Sequence, residues 1–318
     1  MALTGDFLMQ GVQMFLVLAV APALTGLVRK IKARLLLHKG PSILQPYRDL
    51  ARLMRKDVLL AHNASWLFRV APYVIFAAIW IAAALTPTFA TGLMFNWTAD
   101  LVAIVALLAL ARFALALAGM DIGTPFGGLG SSREMMVSAL AEPAMLMIVF
   151  STALLAGTTQ LSQIAAHLAS QPFVLRASMG LALIALIIVS LAENARIPVD
   201  NPSTHLELTM IHEAMVLEYS GRHLALIEAA AALKLVFYFS LITCLFFPYG
   251  IATPPQGLAA QFLGMGLWLV KMTLLAALLA VGEVSVSKMR LFRVAEFLGG
   301  ALVLGLIAMV LLFVSGKM

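Results

Sequence analysis

Long apolar runs alternate with short polar stretches along the whole chain. The runs lie at 7–28, 70–91, 101–119, 136–157, 174–192, 224–247, 258–281 and 297–315. A helix rising ~1.5 Å per residue over such a run crosses a hydrocarbon core ~30 Å thick. Lipid supplies no water to unpaired backbone groups, so helices are the structure these runs must adopt. The pattern predicts an all-α, polytopic membrane protein with about eight transmembrane helices, forming a single membrane domain over 1–318.

Composition strengthens this picture. Of 318 residues, 62% are apolar and only 11% charged. A soluble domain carries roughly 25% charged residues, and so few charges could not cover so much apolar surface in water. Cys244 is the one cysteine. That excludes an internal disulfide, a cysteine-held cluster and a Cys-rich zinc site within the chain. Residues 1–10 carry no Lys or Arg and no short apolar core with a cleavage site follows, so the first span is expected to stay in the mature protein.

The net charge of +6 is not spread evenly. The first connection, 29–69, holds Arg29, Lys30, Lys32, Arg34, Lys39, Arg48, Arg52, Arg55, Lys56 and Arg69. The third holds Arg133, the fifth Arg196 and Arg222, and the seventh Lys288, Arg290 and Arg293. The second, fourth and sixth hold no Lys or Arg. The positive-inside rule then predicts cytoplasmic odd-numbered connections and both termini on the outer, periplasmic side of the cell inner (plasma) membrane. The basic charge reads as a topology signal, and no nucleic-acid partner is expected.

Two cytoplasmic segments have structure of their own. In 29–69, Gly40-Pro41 breaks the helix and Pro46 can open another, through Tyr47-Arg48-Asp49-Leu50-Ala51-Arg52-Leu53-Met54. Leu50, Leu53 and Met54 share one face and Arg48 and Arg52 lie largely on the other, the pattern of an interfacial amphipathic helix. It serves as a lipid anchor, a docking ledge for a partner, or both. The connection 193–222 is acidic, with Glu193, Asp200, Glu207, Glu213 and Glu218. Ser203 or Thr204 is placed to cap a helix after Pro202. His205, His212 and Glu213 do not have zincin spacing, because position 216 is Val, and no metal is expected.

Charges inside the spans are the candidate chemistry. Each costs roughly 2.5–3.5 kcal/mol at mid-membrane on insertion scales. Lys234 and Lys271 fall near the middle of the sixth and seventh spans, Glu142 inside the fourth beside Pro143, and Glu228 one to two turns into the sixth. Arg112 lies in the third, while Glu193 and Glu283 close the fifth and seventh. Arg112 and Glu283 are near enough to the ends to snorkel, and the lysines could be structural ion-pair partners. Read functionally, desolvation draws Glu and Lys toward neutrality, which suits a proton route from the cytoplasmic acids to mid-depth.

The motifs together resemble one family. Gly40-Pro41, Gln45-Pro46 and Asp49 in the first connection, Glu142-Pro143, Glu193-x-x-Arg196-x-Pro198-x-Asp200, Glu218-Tyr219-Ser220, and Lys288-x-Arg290 followed by Arg293 occur in order. This pattern resembles the NuoH subunit of respiratory complex I and its relatives in membrane-bound nickel–iron hydrogenases and formate hydrogenlyases. Ser203 and His205 stand where the complex I pattern continues with acids, while Glu207 is retained. The run 204–213 looks like the formate hydrogenlyase-type (group 4) branch.

The resemblance implies a membrane anchor and energy-coupling subunit of a redox-driven proton or sodium pump. It implies three partners: an iron–sulfur small subunit, a hydrogenase-like large subunit and antiporter-like membrane subunits. Iron–sulfur clusters and a nickel–iron centre are expected in those partners, with no cofactor, metal or catalytic residue in this chain. Candidates for the proton path are Glu142, Glu193, Asp200, Glu207, Glu213, Glu218, Glu228, Lys234, Lys271, Glu283 and Arg112. Candidates for partner docking are Gln45, Arg48, Asp49, Arg52, Arg196, Arg290 and Arg293. The alternatives are the quinone-chamber subunit of complex I itself and a stand-alone ion transporter.

Overall fold

The computed structural model describes residues 2–92, 94–170, 176–200, 210–253 and 257–315. Among these the chain forms eleven α-helices and no named strand: α1 (Ala2–Leu35), α2 (Gln45–Met54), α3 (Trp66–Leu85), α4 (Leu101–Asp121), α5 (Pro125–Ala156), α6 (Leu161–Ser170), α7 (Ala177–Glu193), α8 (His212–Val216), α9 (Gly221–Phe246), α10 (Leu258–Ser285) and α11 (Leu291–Ser315). Seven are long and apolar enough to cross a membrane. The eighth expected span is α7, an apolar helix of 17 residues. It rises about 25 Å, a few ångströms less than a hydrocarbon core.

Several helices run past their apolar stretches. α1 continues to Leu35 through the basic residues that follow its span, and Lys32 and Arg34 in its last turn complement the helix dipole. α5 starts at Pro125, where the Thr124 side chain accepts a hydrogen bond from Gly127 N, so Arg133 lies inside a helix. Gly127, Gly128 and Gly130 are poor helix formers, so this turn is held by its cap and by close packing of Gly127 and Gly130 against Gly119 and the segment around Ile211 and Ala214. The uncharged fourth connection contains a further short helix, α6. The helix expected after Pro202, with Glu207 and His205, lies outside the described residues.

α9 is the central element and touches α1, α3, α7 and α10. Leu233, Val236, Phe237, Tyr238, Leu241 and Cys244 on it are buried. α3 packs against α4, and α11 against α5 and α7. α10 is peripheral and exposes Phe262, Leu263, Val270, Leu274 and Leu278, a surface suited to lipid or to a further membrane helix.

The two structured connections meet on the side carrying most basic charge. α2 lies against α1 and α9, and Tyr47 donates its hydroxyl proton to Ala19 O. Leu50 and Leu53 are partly covered and Arg48 and Arg52 exposed, but Met54 is exposed, because the helix ends there without reaching the bundle. Ser220 Oγ accepts from Leu59 N at 2.9 Å and donates to Leu59 O at 3.0 Å, and Tyr219 stacks on Phe68 with ring centroids 3.9 Å apart. Gly221 has φ +54°, and a Cβ there would stand 2.5 Å from Asp57 O, so the close approach of the two connections requires glycine.

Candidate functional site

Four charged side chains of alternating sign form a line that begins at half-exposed Glu142 and runs into the bundle interior. Glu193, the last residue of α7, is buried, and its Oε1 lies 2.7 Å from Arg112 Nη2 of α4. Its Oε2 lies 3.0 Å from Lys234 Nζ of α9. Arg112 Nη1 donates to Ser138 Oγ at 2.9 Å and stands 3.4 Å from Glu142 Oε1, and Ser138 Oγ donates to that same oxygen at 2.6 Å. The order is therefore Glu142, Arg112, Glu193, Lys234. A carboxylate at a helix C-terminus opposes the dipole, so Glu193 is held there by Arg112 and Lys234 and not by helix stability. Arg112 does not snorkel; its side chain is 5% exposed.

Glu134 also lies buried in α5, one turn before Ser138. Glu134, Ser138 and Glu142 recur every fourth residue and form a stripe on one helix face. Sequence reasoning missed Glu134 because it lies before the apolar run, where a charge is ordinary. The four-residue spacing ahead of Glu142 was the available signal.

A second group of ion pairs sits closer to the basic side. Glu283 at the end of α10 is buried between Lys32 Nζ at 3.1 Å and Arg196 Nη1 at 3.3 Å, so it too is paired and does not snorkel. Burial lowers the Arg196 pKa from its ordinary value, against the upward pull of Glu283. Asp200 Oδ1 accepts from Lys288 Nζ at 2.8 Å, and its Oδ2 accepts from Ile211 N at 3.2 Å and His212 N at 3.4 Å. With Met289 N donating to Pro198 O, these bonds tie the α10–α11 connection to the segment after α7. In the sequence Lys32 reads only as a topology charge and Lys288 as a topology charge and part of the motif before the last span.

Two cavities join the groups. The larger, about 730 Å³, lies between α1, α2, α9 and the segment after α7, and Asp49, Arg196, Glu213, Glu228 and Glu283 line it. The smaller, about 60 Å³, lies deeper and is lined by Arg112, Glu134, Glu193 and Lys234 among Ile75, Ile79, Leu108 and Leu115. Asn194, Ala195, His212, Ile227 and Ala231 line both. Gly130 of α5 lets the His212 segment approach: a Cβ there would stand 2.9 Å from Ala214 Cβ and 3.0 Å from Ile211 O. Burial, with Lys234 nearby, holds the His212 pKa down at about 4.

The sequence profile of the NADH dehydrogenase family matches residues 9–314. The chain belongs to this family. Hydrogenase-4 component C of Escherichia coli (strain K12) is 34% identical over 281 residues, covering 87% of each chain. Formate hydrogenlyase subunit 4 of the same organism is 31% identical over 281 residues, covering 88% of this chain and 90% of that one. A chain of the membrane-bound sulfane sulfur reductase, an archaeal respiratory membrane complex, shares the fold, with a TM-score of 0.80 over 97% of this chain and 99% of that one at 18% identity.

In this NADH dehydrogenase family member the remaining candidates divide. Glu213 and Glu228 face the larger cavity. Glu218 is exposed, outside both cavities, and Lys271 is also outside both. Lys271 Nζ donates to Phe247 O at 2.7 Å and Tyr249 O at 2.6 Å, just past the end of α9. Gln45 Nε2 donates to Asp49 Oδ1 at 3.1 Å, and Asp49 pairs with Arg52 at 3.1 Å. Arg48, Arg52, Arg290 and Arg293 are exposed on the surface, whereas Arg196 is committed to Glu283.

Proposed function

We propose that this chain is the membrane anchor and energy-coupling subunit of a redox-driven, proton-pumping complex of the hydrogenase or formate hydrogenlyase type. The likeness to hydrogenase-4 component C and formate hydrogenlyase subunit 4 supports the class of complex. One observation supports the coupling role above others: the chain Glu142–Arg112–Glu193–Lys234 runs inward from half-exposed Glu142 and ends under a cavity that opens on the basic side. Charges desolvated in this way are costly, and a well-packed apolar core would be as stable or more so. Their presence suits a proton route.

In this reading the basic connections face the cytoplasm and both termini lie outside, in the cell inner membrane. Exposed Arg48, Arg52, Arg290 and Arg293 form the ledge on which an iron–sulfur small subunit and a hydrogenase-like large subunit dock. Iron–sulfur clusters and a nickel–iron centre belong to those partners, and this chain holds none. Antiporter-like membrane subunits take up the exposed apolar flank.

The larger cavity favours a second reading, a quinone chamber, because about 300–1,000 Å³ is the size of a small-molecule site. Charged groups stand on every wall among apolar Val28, Leu50, Leu53 and Ile227, a lining that accepts water and ions and also offers apolar surface to a ring and tail.

The test is purification in mild detergent, metal analysis, and reconstitution into vesicles. Iron and nickel should copurify, and redox turnover should acidify the lumen. Lys234→Met should cut protons moved per electron roughly tenfold or more in an assembled complex. Unchanged pumping in that variant, or purification of the chain alone, overturns the reading.

A further inference from the structure

The two cavities meet at a neck, and of the five residues lining both sides only His212 titrates. Asn194 stands with it, and its Oδ1 is buried with no hydrogen-bond partner among the described residues. An orphaned buried acceptor costs free energy unless a donor visits it. A neck holding an imidazole and a spare acceptor is suited to a transient N–H or water.

Resting on the proton-pumping reading above, we infer that His212 carries protons through this neck, from the open cavity with Glu213 and Glu228 to the buried carboxylates Glu134 and Glu193. The proton arrives on one ring nitrogen and leaves from the other, so the imidazole returns neutral and no electron moves. Charged groups from the neighbouring elements act on the ring or line the deep cavity beside it. Lys234 and Glu228 come from α9, Glu193 from α7, Glu134 from α5, Arg112 from α4, and Asp200 from the segment that fixes the His212 backbone. Lys234 acts as the gate. Its charge disfavours a second cation at the neck, and a positive imidazole becomes acceptable when a negative charge enters the open cavity. Asp200 is tied up by Lys288 and by two backbone N–H groups, so it positions the histidine and is not itself the carrier.

The experiment uses the whole complex in sealed vesicles, with protons moved per electron as the readout. His212→Asn keeps a polar side chain but cannot take up a proton and release it. It should lower the ratio roughly tenfold or more. His212→Ala should lose as much and recover when imidazole is added to the medium. A wild-type ratio in His212→Asn, or a loss in His212→Ala that imidazole does not restore, overturns the inference. Failure of both variants to assemble makes His212 a structural residue and overturns it too. If the wild-type complex itself moves no protons, the proposed function has failed.

Discussion

Lys234 and Lys271 occupy matching places, half-way along neighbouring apolar helices, yet the fold uses them differently. Lys234 lies on the central helix α9 and meets Glu193, the carboxylate that α7 brings, so it continues a line of alternating charges. Lys271 lies on peripheral α10 and reaches the carbonyls of Phe247 and Tyr249, just past the end of α9. The first contact is charge with charge and passes on to further titratable groups. The second is a cation on a helix terminus and stops there. Position half-way along a helix therefore does not decide what such a lysine does; the element packed against it does.

The strongest way to break the comparison is to open the Lys234 network at its other cation. Arg112→Ala leaves Glu193 and Glu142 without the guanidinium between them, and the Arg112 and Glu193 side chains are 5% and 2% exposed. Removing one partner of such a pair costs roughly 3–5 kcal/mol. We expect a large drop in the thermal midpoint of the purified complex in detergent, or no assembly. A midpoint within error of wild type would show that the carboxylates are already neutral and that the alternating-charge picture is wrong.

The next effect tests the same network by pH. An ordinary histidine titrates near 6.5, whereas burial and Lys234 hold His212 at about 4. Between these values the unfolded chain binds a proton that the folded protein refuses. The stability contributed by the neutral ring is complete above pH 6.5 and is lost as pH falls through 6.5 toward 4, by roughly 3 kcal/mol in all. Thermal midpoints measured across this window should fall more steeply for wild type than for His212→Asn. Parallel profiles would remove His212 from the field of Lys234.

These expectations also show what could be read from the chain alone. The spans were legible because an apolar run of about twenty residues has few fates besides crossing lipid. Their ends were not, since α1 extends through basic residues that are good helix formers, and α5 begins in a Gly- and Ser-rich stretch that only packing keeps helical. Arg112, Glu142, Glu193 and Lys234 stood out because each interrupts or closes an apolar run. Glu134 and Lys32 did not, because they fall in stretches read as connections, where charge is unremarkable; Lys288 was legible only as part of a motif, and His212 only as a metal ligand with the wrong spacing. Only packing shows that Lys32 and Lys288 find buried carboxylates, and only the two cavities single out His212. Lys271 shows the converse: its position flagged it, but what it reaches is backbone, which carries no residue-type signal.

The smallest effect sharpens the comparison most. Lys271→Met keeps the length and apolar stem of the side chain and removes only the ammonium that serves the Phe247 and Tyr249 carbonyls. A cation at a helix C-terminus contributes roughly 1 kcal/mol, rising to about 2 when partly buried. We expect a modest fall in thermal midpoint and no change in protons moved per electron, whereas Lys234→Met should lose pumping and lower the midpoint further, because it strips a cation from buried Glu193. The pair of variants thus separates a lysine that closes a helix from one that joins a charge relay. If Lys271→Met also abolished pumping in an assembled complex, the helix end it caps would have to belong to the ion path, and the two lysines would no longer differ in kind.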